Sequence, residues 1–117
     1  MDTIYYLASC DTCRKIIKSL PKNNLVFHDI RQQPISPVEL DALKELAGSY
    51  EALFSKKAQM YKSMNLKSQN LTEDDYRKYL LEHYTFLSRP VFVIGGQIYI
   101  GNSQKNITNV HSALSNV

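Results

Sequence analysis

Two cysteines separated by two residues are the part of this sequence best suited to chemistry. Cys10 and Cys13 flank Asp11 and Thr12. Such a pair can form a disulfide between its own members, because the outer thiolate attacks a substrate disulfide and the inner thiol resolves the mixed intermediate. We expect a cytoplasmic chain because no secretion signal is recognised. The cytoplasm is reducing, so a permanent disulfide between the two cysteines is not expected. The spacing therefore predicts that Cys10 is a nucleophile and Cys13 its resolving partner.

The elements around the cysteine pair are predicted to favour the thiolate form of Cys10. Residues 3–8 are β-branched and aromatic and predict a buried strand, whereas residues 12–20 carry apolar side chains at helical spacing until Pro21. Cys10 then lies at the helix entrance, where unpaired N–H groups and the helix dipole stabilise negative charge. We expect its pKa to fall below the free value of about 8.5, and Arg14 to add positive charge.

Two other interpretations of the cysteines stay open. The pair could be half of a zinc site, but a structural zinc ion usually takes four protein ligands, and His28, His83 and His111 do not pair at short spacing. Cys13 alone could be a small buried apolar residue, although that does not explain a second cysteine at the helix entrance. We predict no metal and no organic cofactor.

Four further residues are candidates for substrate binding or catalysis. Arg89 and Pro90 precede an apolar run, and proline is unusual at the entry to a core strand. Pro90 either shapes a substrate cleft or simply begins the strand, and Arg89 is either a surface charge or an anion ligand beside the reactive cysteine. Lys56, the first of two adjacent lysines, lies on a solvated helix face or contacts an oxyanion or a partner. Thr12, between the cysteines, is a further candidate for substrate binding.

The remaining pattern indicates alternating strands and helices. We expect the helix that begins at Ser36 to carry Leu46, and the helix that begins at Thr72 to extend to His83. A strand is predicted at 24–30, followed by a helix that starts at Ser36-Pro37-Val38-Glu39 and ends near Gly48. Helical turns at 50–66 come next, and then a helix whose start is marked by Thr72 and Asp75. The chain ends with a hairpin of 91–94 and 97–100 across Gly95-Gly96 and a last helix that begins near Asn102 or Ser103.

The order of these elements predicts an α/β fold of one domain, residues 1–117. A strand-helix-strand unit is followed by several helices and then by a hairpin and a closing helix. A parallel strand pair with a crossover helix, extended by an antiparallel hairpin, gives a mixed four-stranded sheet with helices on its faces. The thioredoxin-like architecture has this order, with the helices at about 36–86 as an insertion.

Composition excludes several other classes of protein. The chain has 117 residues, of which 44% are hydrophobic and 21% charged, as in ordinary globular domains rather than disordered chains or coiled coils. Its net charge of +3 is mild and scattered, which does not favour nucleic-acid or membrane binding. No apolar run approaches the roughly 20 residues that span a bilayer.

Four segments, in order, resemble the landmarks of the ArsC family. They are CDTCRK after a short strand, PISPVEL, LFSKKAQMYKSMNL, and SRPVFVIGG followed by QIYIGN. The family includes glutaredoxin-coupled arsenate reductases, Spx-type transcription regulators and short YffB-like proteins. The resemblance covers residues 3–114 and implies a thioredoxin-like fold with a helical insertion.

The resemblance implies a catalytic role for Cys10, with Arg14 and Arg89 as anion ligands and Pro90 in a cis peptide bond facing the cysteine. Three family positions differ. Tyr6 stands where the reductases have a histidine, Ser55 where they have an arginine, and Ile100-Gly101-Asn102 where a third arginine lies. An arsenate ester needs several fixed positive donors, and lysine at position 56 lacks the planar fork of arginine. Efficient arsenate reduction is therefore not expected.

The same differences bring the chain closer to the Spx and YffB-like branches. The implied activity is that of a thiol-dependent oxidoreductase, arsenate-reductase-like or glutathione-dependent, with glutathione, glutaredoxin or thioredoxin as the electron source. The alternative is an Spx-like redox-sensing regulator that binds the C-terminal domain of the RNA polymerase α subunit. The YffB-like group matches in length, whereas the Spx regulators carry a longer basic tail.

Overall fold

The computed structural model describes residues 2–21 and 25–115 of the chain and divides into two compact units. The sheet unit comprises Met1–Gln33 and Arg89–Val117, and the helical unit comprises Pro34–Ser88. The predicted helical insertion at 36–86 falls within the helical unit, and the α/β fold class is confirmed. Asn24, the first residue of the strand predicted at 24–30, lies outside the described residues. The assignment of the whole chain to one domain stays a prediction.

The described residues form four strands, five α-helices and three single-turn 3₁₀ helices. The strands are β1 (Thr3–Tyr6), β2 (Val26–Asp29), β3 (Val91–Ile94) and β4 (Gln97–Ile100). The α-helices are α1 (Asp11–Ser19), α2 (Pro37–Ala47), α3 (Gln59–Ser63), α4 (Glu73–Glu82) and α5 (Gln104–Ser115), and the 3₁₀ helices are Glu51–Leu53, Leu66–Ser68 and Tyr84–Phe86. None of the described helices is long and apolar enough to cross a membrane.

The four strands form one mixed sheet in the order β2-β1-β3-β4. β1 pairs in parallel with β2, β3 pairs antiparallel with β1 and β4, and the register places Val91 opposite both Tyr5 and Ile100. β1 and β4 therefore run in the same direction and end at the same edge of the sheet. The N–H of Gly101 donates to the carbonyl of Pro90 at 2.9 Å on that edge. The chain segments after β1 and β4 and before β3 consequently meet there.

An apolar core lies between the sheet and its two helices, α1 and α5. Its most buried members come from strand and helix faces alike: Ile4, Ile16, Phe92, Ile94, Val110 and Leu114. Ile4, Phe92 and Ile94 share one sheet face because side chains of alternate strand residues point the same way. Burial of an apolar side chain contributes about 1.5–3 kcal/mol to folding, so this core holds α1 and its first turn in place.

The predicted capping residues begin both long helices of the helical unit. Ser36 accepts a hydrogen bond from the N–H of Glu39 at α2, and Thr72 accepts one from the N–H of Asp75 at α4. In each box the acidic side chain accepts from the N–H of the capping residue in return. Gly48 then ends α2 with φ of +95°, a conformation that glycine adopts without steric cost.

Aromatic side chains form the centre of the helical unit. Phe54 stacks on Phe86 at 5.0 Å between ring centroids and meets Tyr76 edge-on at 4.9 Å. Two residues that the sequence places on these helices are exposed. Leu46 is 43% exposed, and His83 is exposed because α4 ends at Glu82 and the chain turns into extended backbone at His83.

A polar cluster on the helical unit predicts a change of stability in acid. Arg77 donates to both carboxylate oxygens of Asp41, from Nε at 2.9 Å and Nη2 at 3.2 Å, and Tyr50 donates its hydroxyl at 2.6 Å. These hydrogen bonds, with that of Arg77 foremost, lower the pKa of Asp41 to about 2. A carboxylate whose folded pKa lies below its unfolded value of about 3.9 stabilises the fold above that value. This contribution is lost as the pH falls from about 4 through about 2.

We expect Asp41→Asn to lower the urea midpoint of unfolding at pH 7 and to lower it much less at pH 2, where about half of Asp41 is protonated. Circular dichroism at both pH values measures the difference. Glu45→Gln on the same helix is the control, since Glu45 is exposed and its pairing with Lys44 is long, at 3.7 Å. A loss of stability in Asp41→Asn that is equal at both pH values would contradict the assigned role of its charge.

Candidate functional site

Cys10 lies at the entrance of α1, on the sheet edge where β1 ends. It is the N-cap residue of the helix, half-buried, with extended backbone at φ −89° and ψ 116°. Its N–H donates to the carbonyl of Leu7 at 3.0 Å, and its own carbonyl accepts the first helical hydrogen bond from Arg14 at 3.1 Å. The tight turn after β1 and the start of the helix thus fix the backbone on both sides of the sulfur.

The surroundings of Cys10 lower the pKa of its thiol. Burial alone acts in the opposite direction and is the largest single cause, because a half-buried thiolate loses part of its hydration. It is outweighed by the N–H of Cys13, the thiol of Cys13, the N–H of Thr12 and the charge of Arg89. The sulfur makes no regular capping hydrogen bond. The amides of the first helical turn nevertheless stabilise negative charge on it, as predicted for this position.

Cys13 has the opposite character. It is fully buried in the first turn of α1, and burial raises the pKa of its thiol to about 11. The backbone of Leu7 opposes this shift by hydrogen bonding, while negative charge on Cys10 adds to it. Both cysteines are in the reduced form. The pair therefore combines one thiol that ionises readily with one that stays protonated.

Pro90 and Arg89 lie at the same sheet edge as the cysteines. The Arg89–Pro90 peptide bond is cis, and Pro90 is fully buried. The charge of Arg89 lowers the pKa of both cysteines, which places its guanidinium near their sulfurs. Nη1 of Arg89 is buried and has no hydrogen-bond partner among the described residues. A buried guanidinium N–H without an acceptor is costly, and an anionic group beside Cys10 would supply one.

Arg14 is held differently from the way the sequence suggested. Its Nη1 donates to the carbonyl of Ala8 at 3.0 Å, and its Nη2 pairs with the carboxylate of Asp11. Arg14 is not among the main groups that shift the pKa of Cys10, whereas Arg89 is. A role of Arg14 in stabilising the thiolate stays a prediction.

Lys56 belongs to the helical unit and lies in a turn rather than on the expected solvated helix face. The turn separates Glu51–Leu53 from α3. Nζ of Lys56 donates to the carboxylate of Glu51 at 2.6 Å, which raises the pKa of the lysine and lowers that of Glu51. This local ion pair accounts for the position of the amine. A role of Lys56 in substrate binding stays a prediction.

No described histidine gathers with the cysteines. Within residues 2–21 and 25–115 there is no group of three or more His, Cys, Asp and Glu side chains that could hold a metal ion. His28 instead lies against Tyr5 with 4.9 Å between ring centroids, and Nε2 of His111 lies 3.2 Å from the hydroxyl of Ser19. Leu7, whose backbone contacts both cysteines, is not among the residues predicted from the sequence, because no residue type marks a turn that acts through its amide and carbonyl.

Arg89→Gln is expected to slow the reaction of Cys10 with iodoacetamide at pH 7. Loss of the guanidinium raises the pKa of Cys10 and so lowers its thiolate fraction. We expect a decrease of less than tenfold, because one partly solvated charge contributes about 1 kcal/mol or less. Arg31→Gln, which removes an exposed arginine of the same unit, is the matched control. An equal decrease in both variants would assign the effect to net charge alone.

The sequence matches the model of the ArsC family over residues 5–110. The chain belongs to the ArsC family. Its curated relatives include an arsenate reductase of Acidiphilium multivorum, which is 24% identical over 78% of this chain and 67% of that protein. The global transcriptional regulator Spx 2 of Bacillus anthracis is 25% identical over 92% of this chain and 84% of its own length.

Solved structures of ArsC-family proteins have the same fold. A YffB protein superimposes with a TM-score of 0.82, at 20% identity, over 97% of this chain and 99% of its own. An arsenate reductase from Vibrio cholerae superimposes with a TM-score of 0.78, at 23% identity, over 97% of both chains. At these identities the likeness establishes the fold, and the thioredoxin-like architecture expected from the sequence is confirmed.

Proposed function

We propose that this ArsC-family protein is a thiol–disulfide oxidoreductase in which Cys10 is the nucleophile and Cys13 the resolving thiol. The observation that carries the proposal is the placement of the two thiols: Cys10 is the half-buried N-cap residue of α1, whereas Cys13 is fully buried in its first turn. This placement agrees with a lowered pKa of Cys10 and a pKa of Cys13 raised to about 11. A thiolate is the reactive form of cysteine, so the first attack is assigned to Cys10.

The first step is an exchange at the substrate disulfide. The Cys10 thiolate attacks one sulfur of a disulfide RS–SR, the bond between the two substrate sulfurs breaks, and one RS⁻ leaves and takes a proton from solvent. Cys10 is then joined to the other half of the substrate as a mixed disulfide. The half-buried position of Cys10 leaves its sulfur within reach of a substrate, whereas Cys13 is fully buried.

The second step uses a change in charge that the first step causes. Negative charge on Cys10 is one of the causes that raise the pKa of Cys13. Once Cys10 is in the mixed disulfide this charge is gone, and Cys13 loses its proton more readily. Its sulfur then attacks that of Cys10, the second RS⁻ leaves, and the Cys10–Cys13 disulfide forms. Two thiols of a donor return the pair to the reduced state and become a disulfide themselves.

The donor and the compartment are part of the proposal. Glutathione, glutaredoxin or thioredoxin in the cytoplasm would supply the two electrons for each cycle. Arg89, with Nη1 buried and unpartnered among the described residues, would bind an anionic group of the substrate or donor. Pro90, buried beside it, would shape the cleft, and Thr12 would offer its N–H to the attacked sulfur.

A turnover assay tests the proposal. Reduction of 2-hydroxyethyl disulfide is measured by NADPH consumption, separately with glutathione and its reductase, with glutaredoxin added, and with thioredoxin and its reductase. We expect protein-dependent turnover with at least one donor. Without turnover under any condition, and without a Cys10–Cys13 disulfide after incubation with oxidised glutathione, the assignment fails.

Arsenate is a less favoured substrate. The relatives that are named arsenate reductases motivate the test, but an oxyanion ester needs several fixed cations, and Tyr6, Ser55 and Gly101 stand where those enzymes have a histidine and two arginines. Adding arsenate in place of the disulfide, with glutaredoxin as donor, is the direct comparison.

A second candidate is a redox-sensing regulator, favoured by the Spx relatives that match 92% of this chain. In that function the Cys10–Cys13 disulfide changes a surface that the C-terminal domain of the RNA polymerase α subunit binds. Titration of that domain with the reduced and the oxidised protein distinguishes the two candidates. Redox-dependent binding favours the regulator, and absence of binding in both states removes it.

A further inference from the structure

A groove runs along the sheet unit between α1 and α5. It has a volume of about 610 Å³. α1 lines one wall with Thr12, Lys15, Ile16 and Ser19, whose spacing of three and four residues is that of one helix face. At a rise of 1.5 Å per residue, this wall is about 10 Å long.

α5 lines the opposite wall with the same spacing, from Gln104 through Ile107 to His111. Ile16 belongs to the buried core and Ile107 packs against it, so the base of the groove is apolar and its rims are polar. A length of about 10 Å accommodates three residues of extended polypeptide, at about 3.3 Å per residue.

The charged side chains that line the groove are of one sign, positive. None of its lining residues is acidic, and Lys15 is its one permanently charged side chain. Lys15 is exposed and, in the part of the chain that the structure describes, forms no ion pair, whereas the neighbouring Arg14 pairs with Asp11. The groove is therefore complementary to a segment that carries a carboxylate.

His111 adds a hydrogen-bond acceptor to this rim. The hydroxyl of Ser19 lies 2.7 Å from the carbonyl of Ile16, to which it donates, and 3.2 Å from Nε2 of His111. Both contacts are hydrogen bonds in the tautomer of His111 whose Nε2 carries the hydrogen. In the neutral imidazole Nδ1 is then an acceptor. An acceptor beside a lysine suits a polypeptide, which offers N–H groups as well as carboxylates, better than it suits a simple anion.

Thr12 connects the groove to the reactive cysteine. Its N–H is one of the groups that lower the pKa of Cys10, and the same residue lines the groove. A chain that is joined to Cys10 through its own cysteine therefore has the groove next to it. Lys15 lies three residues further along α1, so a carboxylate near that cysteine can reach its amine.

We infer that the groove between α1 and α5 binds an acidic segment of a protein partner while the cysteine of that partner is in a mixed disulfide with Cys10. The inference rests on the proposed oxidoreductase function and names its partner class: polypeptides with Asp or Glu close to the reacting cysteine. Lys15 binds the carboxylate and His111 accepts a backbone N–H, so both are specificity residues rather than catalytic ones.

The test compares two synthetic peptides whose cysteine carries a 2-thiopyridyl leaving group. One has two glutamates on each side of the cysteine, and the other has glutamines in their place. Cys13→Ser provides the background, because the mixed disulfide then persists. The Cys10 thiolate attacks the peptide sulfur, the bond to the thiopyridyl sulfur breaks, and released thiopyridone reports the rate by absorbance.

We expect the acidic peptide to react about threefold faster than the neutral one at low ionic strength, the size expected for one partly solvated charge pair. Lys15→Gln is expected to remove this preference. Lys18→Gln, on the same helix and also exposed but outside the groove, is expected to keep it. NMR shifts of α1 and α5 amides in the trapped acidic complex provide a second measurement.

Equal losses of preference in Lys15→Gln and Lys18→Gln, or no preference at all, would overturn the groove assignment. A Lys15 dependence found with oxidised glutathione but not with the peptides would make a small thiol the occupant and would also overturn it. In each of these cases reaction of the neutral peptide leaves the oxidoreductase function standing. If neither peptide reacts, the proposed function itself fails.

Discussion

Cys10→Ser is expected to abolish thiol exchange, and Cys13→Ser is expected to stop the reaction after its first step. Serine offers no thiolate at neutral pH, so we expect the rate of attack on a small disulfide to fall by roughly 100-fold or more. In Cys13→Ser the thiol of Cys10 still attacks, but the buried position next to it holds no resolving sulfur. A stable mixed disulfide with one half of the substrate should then accumulate.

Intact-mass spectrometry after incubation with oxidised glutathione measures both results. We expect wild-type protein to form the internal disulfide, Cys13→Ser to carry one glutathione and Cys10→Ser to stay unmodified. Lys18→Gln is the control for a change elsewhere on α1. If Cys10→Ser carried glutathione on Cys13 as readily as Cys13→Ser does on Cys10, the assignment of the nucleophile would be reversed.

Phe92→Ala is expected to cost about 3–5 kcal/mol of the free energy of unfolding, the usual range for removing a buried phenylalanine ring. Phe92 is fully buried in β3, two residues after Pro90, and belongs to the core that holds α1 against the sheet. A loss of this size is a large part of the stability of a small protein. The entrance of α1, and with it the thiolate site, depends on this packing.

Phe27→Ala makes the same chemical change on the edge strand β2, which pairs with β1. Phe27 is 48% exposed and meets the ring of Tyr6 edge-on at 5.8 Å, so we expect it to cost about 1 kcal/mol or less. Urea unfolding followed by circular dichroism measures both variants. Similar losses in the two would contradict the assigned difference in burial between the central strand β3 and the edge strand β2.

Local signals in the sequence were sufficient for most of the fold. The Ser36 and Thr72 capping boxes, Gly48 at the end of α2 and the Gly95-Gly96 turn each act within a few residues, so composition and spacing predict them. The parallel crossover and the hairpin then leave few arrangements for the sheet. The position of Cys10 at the start of α1 follows from the same local rules.

The remaining features depend on contacts between residues far apart in the chain. Spacing alone does not reveal that Asp11 and Ala8 hold Arg14, nor that packing brings Arg89, before β3, to the end of β1. The groove beside Lys15 exists because α1 and α5 lie on one sheet face, and no local pattern marks it. His83 was expected on the helix because its spacing continues that of α4, yet the helix ends one residue earlier.

The rate of alkylation of Cys10 as a function of pH tests the central claim most directly. Reduced wild-type protein is treated with iodoacetamide between pH 4 and pH 11, and fragmentation mass spectrometry resolves Cys10 from Cys13, which share one tryptic peptide. We predict that Cys10 reacts with a midpoint clearly below that of a free cysteine peptide measured alongside it, and that Cys13, whose pKa is raised chiefly by burial, reacts with a midpoint above that of the same peptide. A midpoint for Cys10 at or above that of the free peptide would contradict the account.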